Sequence, residues 1–211
     1  KVATSLDGKI ATRTGESHWI TDAAARRRAR ELRSQHQAVL VGINTIFADD
    51  PHLGPRIKGA QNVWRVVLDS HLRMPRRARV LAAGRCIVAT TAAASIQKRR
   101  SLENAGAEIW QFSGRRVPLE MLLKKLAARG ILSVMVEGGA EVLGSFFDQD
   151  LVDRVFWFYS PMVIGSFKSR SAVAGRGIAQ IAGARKLHAI SVEPVGGCWV
   201  LQGKASRWAL G

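Results

Sequence analysis

An apolar stretch, Ile131 to Val136, reads as a fully buried strand that stops at a carboxylate. Glu137 is followed by Gly138-Gly139 and then by the helical pattern Ala140-Glu141-Val142-Leu143-Gly144-Ser145. Glycines at such a junction let a ligand approach the backbone, and a helix start presents N–H groups that suit a phosphate. The order of glycines is neither G-x-G-x-x-G nor a P-loop, and a plain tight turn explains it equally well. A second group is Ala48-Asp49-Asp50-Pro51-His52-Leu53, with Arg56 close behind. One of its carboxylates can cap a helix or pair with an arginine. The other can touch a sugar hydroxyl or stabilise a developing cation. The third group is Gly15-Glu16-Ser17-His18-Trp19-Ile20-Thr21, where the tryptophan either floors a flat ring or packs at a helix start. The five histidines, His18, His36, His52, His71 and His188, are scattered, and neither Cys86 nor Cys198 lies in a C-x-x-C pair, so no metal site is expected. The Gly-x-Ser-like sites lack the context of a nucleophile elbow.

The elements that must position these groups follow from periodicity and turn residues. Lys1 to Leu6 reads as a strand, with Asp7-Gly8 turning into a second one at Lys9 to Thr12. Asp22 caps a helix that runs to about Gln35. Ala38 to Val41 is a short buried strand, and Thr45 to Asp49 a brief helix stopped by Pro51. Strands are expected at Val63 to Leu68, Cys86 to Ala89, Glu108 to Phe112 and Val155 to Tyr159, the last apolar on both faces. Helices are expected at Ser95 to Asn104 and at Pro118 to Arg129, where Leu119, Leu122, Leu123 and Leu126 share a face. A hairpin closes the chain at Ala189 to Glu193 and Trp199 to Gln202. Residues 54 to 62 and 166 to 186 read as loops. This rhythm predicts an α/β fold, a three-layer αβα sandwich around a mixed, mostly parallel sheet, as a single domain over residues 1–211.

The chain of 211 residues carries 32 basic and 16 acidic side chains, a net charge of +16. Phosphate backbones attract such a surface, and so do small phosphorylated ligands. Arginine, 23 of the 32 basic residues, fits phosphate bidentately, but arginine richness is also a mark of genome-wide composition. No apolar run is long enough to span a bilayer and no signal peptide is visible. Two buried free thiols fit a reducing cytoplasm.

Taken in order, the segments Lys1–Ala11, Gly15–Thr21, Val41–Leu53 with Arg56, Arg65–Ser70 with Leu72-Arg73 and Pro75, and Val136–Ala140 with Leu151-Val152-Asp153 closely resemble the pyrimidine reductase of riboflavin biosynthesis, the reductase domain of the bifunctional bacterial deaminase/reductase. The resemblance implies a dihydrofolate-reductase-like fold. It also implies hydride transfer from NADPH to the ribose C1′ of 5-amino-6-(5-phosphoribosylamino)uracil, giving the ribitylamino product. Ala3, Trp19, Thr45, Asp49 and Ser70 match cofactor-contacting positions, and Gly139, Ala140, Glu141, Val142, Leu143, Gly144 and Ser145 match the segment that receives cofactor phosphates. Ser17, Arg33, Leu53, Arg56 and Glu137 match substrate-contacting positions, with Arg33 and Arg56 as candidates for the substrate phosphate. Asp49, Glu137 and Lys1 are the implied catalytic residues: Asp49 to stabilise charge at the reacting carbon, Glu137 near the pyrimidine or ribityl end, Lys1 to protonate or orient substrate. A homodimer is implied as well. No zinc-deaminase motif appears, and the chain starts at Lys1, so residues upstream and a deaminase domain of the same precursor are expected.

Two same-fold readings stay beside this one, a reductase of the diamino-pyrimidinone and one of another pyrimidine or pterin. From other classes come a basic nucleic-acid-binding module and a degenerate scaffold. The dispersed arginines and the absence of an RRM, KH or helix-turn-helix pattern speak against the nucleic-acid module. The intact acidic and glycine groups speak against a scaffold.

Overall fold

A computed structural model describes residues 1–82, 84–92 and 94–205. The chain forms two compact units, one of Lys1–Ala29 with Gly139–Gly211 (described to Ala205) and one of Arg30–Gly138. The expected mixed α/β architecture is present, with its strand pairing distributed over two sheets.

The unit of Arg30–Gly138 is built on five strands, β2 (Ala38–Gly42), β3 (Trp64–Leu68), β4 (Cys86–Thr91), β5 (Ala107–Phe112) and β6 (Val134–Val136), while β1 (Val2–Ser5) belongs to the other unit. Their order is β5-β4-β3-β2-β6 and every pairing is parallel. Every residue of β2 and β4 is buried, as expected of parallel strands covered on both faces. One face packs Val39, Val41, Val67 and Val88 with Ile43, Ile46, Leu72 and Met74. The connecting helices are α2 (Ile43–Asp49), α3 (Ile96–Glu103, capped by Ser95) and α4 (Leu119–Ala128). Leu119, Leu122 and Leu126 are the buried stripe of α4. The chain runs from β2 outward to β5 and then returns to place β6 on the other side of β2. The strand order therefore reverses between β2 and β6, and the crevice at their carboxyl ends is where such sheets take ligands.

The other unit holds β1 (Val2–Ser5), α5 (Ala140–Asp148), β7 (Arg154–Ser160), β8 (Leu187–Val195) and β9 (Cys198–Ala205), ordered β1-β7-β9-β8. β1 pairs parallel to β7, while β7, β9 and β8 are antiparallel. The helix α1 (Ala23–Ser34) leads out of this unit, and Ala25, Ala29 and Leu32 form its buried stripe. The Asp22 carboxylate accepts the Ala25 N–H at 2.8 Å and the Gly197 N–H at 2.6 Å, so one side chain caps α1 and fixes the β8–β9 turn. Cys86 and Cys198 are both free and buried. None of the described helices is long and apolar enough to cross a membrane.

Two expectations are corrected. Lys9 to Thr12 does not pair with β1 as a hairpin. Lys9 instead bridges Ser171, and the Ile10 N–H reaches the Arg170 carbonyl at 2.9 Å. The Asp7 carboxylate accepts the Ser5 hydroxyl and the N–H groups of Ile164 and Gly165, which holds the turn and lowers the pKa of Asp7 to about 2. β6 begins at Val134 rather than Ile131, because the Gln37 side-chain oxygen takes the N–H groups of Leu132 and Ser133 at 2.6 and 3.1 Å. An amide side chain there does the work of a strand ladder.

Gly144 is buried in α5, and a Cβ on it would lie 1.7 Å from the Ala174 carbonyl oxygen. Gly144→Ala is therefore expected to destabilise the protein by several kcal/mol, on the order of 3 or more, by overpacking against backbone. Gly183→Ala, whose Cβ would meet nothing within 4 Å, should stay within about 0.5 kcal/mol of the parent. Urea unfolding of both variants checks this, and a mild Gly144→Ala would contradict the packing.

Candidate active site

At the carboxyl ends of β2 and β6, Gly138 lies against the turn into α2. A Cβ at Gly138 would sit 3.0 Å from Thr45 Oγ1 and 3.4 Å from Val41 Cγ1, so only glycine leaves this junction unstrained. Next to it Glu137 pairs with Arg33 of α1 in a fork: Nε to Oε1 at 2.5 Å and Nη2 to Oε2 at 2.8 Å. The Glu137 side chain is 6% exposed and that of Arg33 19%. Bidentate geometry with both ions largely out of water makes a strong, directional contact. Burial works against the Arg33 charge, but the charge and hydrogen bonds of Glu137 outweigh it and hold the guanidinium's pKa above its ordinary value. Arg33 Nη1 also donates to the Gly54 carbonyl at 3.3 Å. The fork expected to grip a phosphate is thus directed at Glu137 and at the loop after α2.

That loop is organised around a residue to which sequence reasoning gave no role. Arg65 of β3 is 1% exposed. Its Nε donates to the His52 carbonyl, and its Nη1 to Asn62 Oδ1 and to the carbonyls of Val63 and Gly84. Burial chiefly lowers its pKa. An arginine inside the otherwise apolar run Trp64-Arg65-Val66-Val67-Leu68 was the available signal. Around the loop, His52 lies in the field of four guanidiniums. Burial, then Arg65, Arg56, Arg79 and Arg33, push its pKa below the ordinary 6.5. The Leu53 side chain is in the core, 2% exposed, with φ 58°, so only its backbone is available to a ligand. Arg56 is exposed.

The paired acids divide their work. Asp50 is the left-handed cap of α2 and accepts the Arg79 N–H at 2.8 Å, which assigns the capping role to it. Asp49 is the last residue of α2, half-buried. Ser70 follows β3, and its carbonyl receives the hydroxyls of Thr90 and Thr91 at 3.2 and 2.8 Å.

The remaining predicted residues belong to the other unit. Ala3 lies in β1, and the Lys1 ammonium sits 5.2 Å from the Phe158 ring centre. Ser17 is half-buried beside His18. Trp19 is 64% exposed, stacked with His18 and covered by the Arg26 guanidinium at 4.4 Å, so it is not core packing. Gly139 begins α5 with φ 71° and no side chain caps the helix. Ala140, Val142 and Ser145 are half-buried and Glu141 is exposed. Leu143 and Gly144 are buried, and Gly144 serves the close approach of Ala174.

Two cavities lie elsewhere. One of 530 Å³ is lined by Gln37, Trp64, Arg85 and Arg129, at the amino ends of the parallel strands. One of 550 Å³ in the other unit is lined by Phe147, Trp157, Arg176 and Arg185. Neither contains a predicted site residue. Among the described residues no cluster of His, Cys, Asp or Glu is arranged to hold a metal.

Parallel strands whose carboxyl ends bring together a clamped carboxylate, a glycine junction and a loop ringed by guanidiniums define an α/β protein of the ligand-binding kind. The family model described as RibD C-terminal domain matches residues 1–201. The chain is 37% identical over 199 residues to the riboflavin biosynthesis protein RibD of Bacillus amyloliquefaciens, covering 93% of this chain and 54% of that protein. It is 39% identical over 188 residues to the 2,5-diamino-6-ribosylamino-4(3H)-pyrimidinone 5′-phosphate reductase of Methanothermobacter thermautotrophicus, covering 88% and 87%. The crystal structure of a diaminohydroxyphosphoribosylaminopyrimidine deaminase/5-amino-6-(5-phosphoribosylamino)uracil reductase from Thermotoga maritima superposes with a TM-score of 0.77 at 30% identity, covering 97% of this chain and 55% of that one. The chain thus belongs to the RibD C-terminal domain family, with its dihydrofolate-reductase-like fold. It spans about half the length of the RibD proteins it matches.

The guanidinium field at His52 is open to measurement. With its folded pKa depressed, His52 favours the folded state fully above pH 6.5 and withdraws that contribution as pH falls toward the folded midpoint. By NMR its titration midpoint should lie below 6.5 and rise when a phosphate monoester is added, because an anion among the arginines offsets their field. A midpoint that phosphate leaves in place would contradict an anion site on this loop.

Proposed function

We propose that this chain is the NADPH-dependent reductase domain of riboflavin biosynthesis, reducing the ribose C1′ of 5-amino-6-(5-phosphoribosylamino)uracil to the ribitylamino product. The observation that carries this reading is the buried Arg33–Glu137 fork at the reversal point of the parallel sheet, beside a loop whose His52 lies in the field of four guanidiniums. The residues fit a nicotinamide dinucleotide. A glycine cradle at Gly138 that a Cβ would fill, the uncapped start of α5, and the fixed Ser70 turn offer close backbone approach and N–H donors for phosphates. When bound, that cofactor supplies the hydride.

The chain's own residues do the rest. Glu137, held by Arg33, offers a fixed acceptor to the N–H edge of the pyrimidine, its direction set before substrate arrives. Arg56 meets the 5′-phosphate, helped by the positive field around His52. Asp49 favours the cationic form of the opened ribosyl imine, which makes C1′ electrophilic. Lys1 protonates or orients the substrate. In the unit of Arg30–Gly138, Thr45 and Ser70 are the proposed cofactor contacts and the Leu53 backbone a substrate contact; in the other unit, Ala3, Trp19 and the Gly139–Ser145 segment are proposed for the cofactor and Ser17 for the substrate. Arg33 acts on the substrate through Glu137.

The identity and near-full coverage of the Methanothermobacter reductase favour a second reading in which the diamino-pyrimidinone is the substrate and reduction precedes deamination. A second copy of this chain is the proposed partner. β8 is an edge strand with Ile190 and Val192 56% and 60% exposed, an apolar surface suited to symmetric pairing. The enzyme is proposed to act in the cytoplasm, with a deaminase domain on the same precursor.

Incubation with each pyrimidine and NADPH, with mass detection of product, is expected to give the ribitylamino compound from the aminouracil and faster turnover than with NADH. No turnover of either pyrimidine by folded protein would refute the reading. Glu137→Gln should lower kcat/KM by about 100-fold or more while cofactor affinity stays within about threefold. Collapse of cofactor affinity instead would remove Glu137 from the substrate side.

A further inference from the structure

The 530 Å³ cavity at the amino ends of the parallel strands has no part in the reaction proposed above, yet its walls carry two cations and several hydrogen-bond donors. We propose that it is a second ligand site, separate from the candidate active site, and that it takes a sugar phosphate monoester on Arg85 and Arg129. The site does not depend on which pyrimidine the enzyme reduces.

The cavity lies within the unit of Arg30–Gly138. Gln37 precedes β2, Trp64 opens β3, Arg85 precedes β4 and Arg129 follows α4. A strand of five residues, roughly 16 Å long, separates this end of the sheet from the end that carries Glu137. The half-buried Trp64 ring anchors both cations: the guanidinium carbon of Arg129 lies 4.9 Å from its centre and that of Arg85 5.9 Å. Arg85 has φ 51°, a backbone region that favours glycine, directly after Gly84 at 65°. Its carbonyl accepts the Arg65 N–H at 2.8 Å and its Nη1 donates to the Asn62 carbonyl at 2.9 Å, so the residue is fixed at both ends in a strained conformation. Strain of this kind gathers where a side chain must be aimed. Arg129 gives Nη2 to Glu108 Oε1 at 2.6 Å. The Nε and Nη1 groups of Arg129, and the Nε and Nη2 groups of Arg85, have no partner among the described residues.

Further donors share the lining. Gln37 accepts the Leu132 and Ser133 N–H groups with Oε1, so its NH2 end is what it offers a ligand. His36 donates from Nδ1 to the Leu32 carbonyl at 2.7 Å, which leaves Nε2. Among the described residues that line the cavity there is no carboxylate. Two forked cations and an amide donor in one concavity, with no acid facing them, select an anion. The volume is far more than an inorganic ion fills and lies in the range that encloses a small organic ligand. The guanidiniums therefore take the phosphate, while Gln37 and His36 take sugar hydroxyls.

The test follows the indole N–H and histidine ring signals by NMR as ribose 5-phosphate, AMP or inorganic phosphate is added to the full chain, with Trp64 assigned through Trp64→Phe. Trp64 and His36 should shift together, with one Kd of about 1 mM or tighter for ribose 5-phosphate and for AMP, and at least about tenfold weaker for inorganic phosphate. Arg85→Met and Arg129→Met should each weaken the response by about tenfold or more, while Arg56→Met, altered at the candidate active site, should leave it in place. A parent in which no phosphate ester moves Trp64, or in which Trp64 moves and His36 does not, overturns the site without recourse to any variant. An undiminished response in both folded arginine variants overturns the assignment to Arg85 and Arg129. Inorganic phosphate binding as tightly as the sugar phosphates overturns the assignment of the ligand.

Discussion

The Arg33–Glu137 pair is the contact on which the carboxyl end of the parallel sheet depends. It joins α1 to the residue that ends β6 and, through the Gly54 carbonyl, to the loop that follows α2. Burying two ions is expensive, and the expense is offset only when the geometry is good and the remaining hydrogen bonds are made. A bidentate fork with a third bond to a backbone carbonyl meets that condition. Removing one ion leaves the other buried without its counter-charge, a loss of about 3–5 kcal/mol in comparable pairs. The pair therefore fixes a carboxylate where the strand order reverses, the place where an α/β sheet receives its ligand.

The second constraint is an excess of positive charge in the same unit. Arg65 is buried on carbonyl and amide oxygens rather than on a carboxylate, and His52 records the combined field of Arg33, Arg56, Arg65 and Arg79. Such a field raises the local concentration of multiply anionic ligands. It gives part of the net +16 a local purpose. Four arginines gather where a loop wraps a buried guanidinium, which is a different arrangement from the phosphate-tracking stripe of a nucleic-acid binder.

Much of this was legible in the residue order. The buried runs of β2 and β4, the Asp22 cap, and the leucine stripe of α4 are local signals, and the elements formed where these put them. Glu137-Gly138-Gly139 was readable as a strand-to-helix junction because its glycines are consecutive. What was not readable depends on contacts distant in sequence. Nothing local says that Arg33 meets Glu137 across 104 positions rather than a phosphate. Nothing local says that Asp50 rather than Asp49 caps α2, since both acids precede the proline equally well. Gly144 reads as part of a phosphate-receiving segment until Ala174 is found against it. Gln37 displaces the start of β6 through a side-chain contact that periodicity cannot register. Arg65 gave a signal, a charge inside an apolar strand, whose meaning depends on which carbonyls surround it.

Arg33 and Glu137 act as one unit, and Arg33 is not an independent phosphate ligand. A double-mutant cycle with Arg33→Met and Glu137→Gln, read by urea unfolding, tests it most directly. Strong coupling is expected: each single change costs several kcal/mol, on the order of 3, and the double variant costs little more than either alone. Additive losses would contradict it, and would return Arg33 to the role of a separate cation.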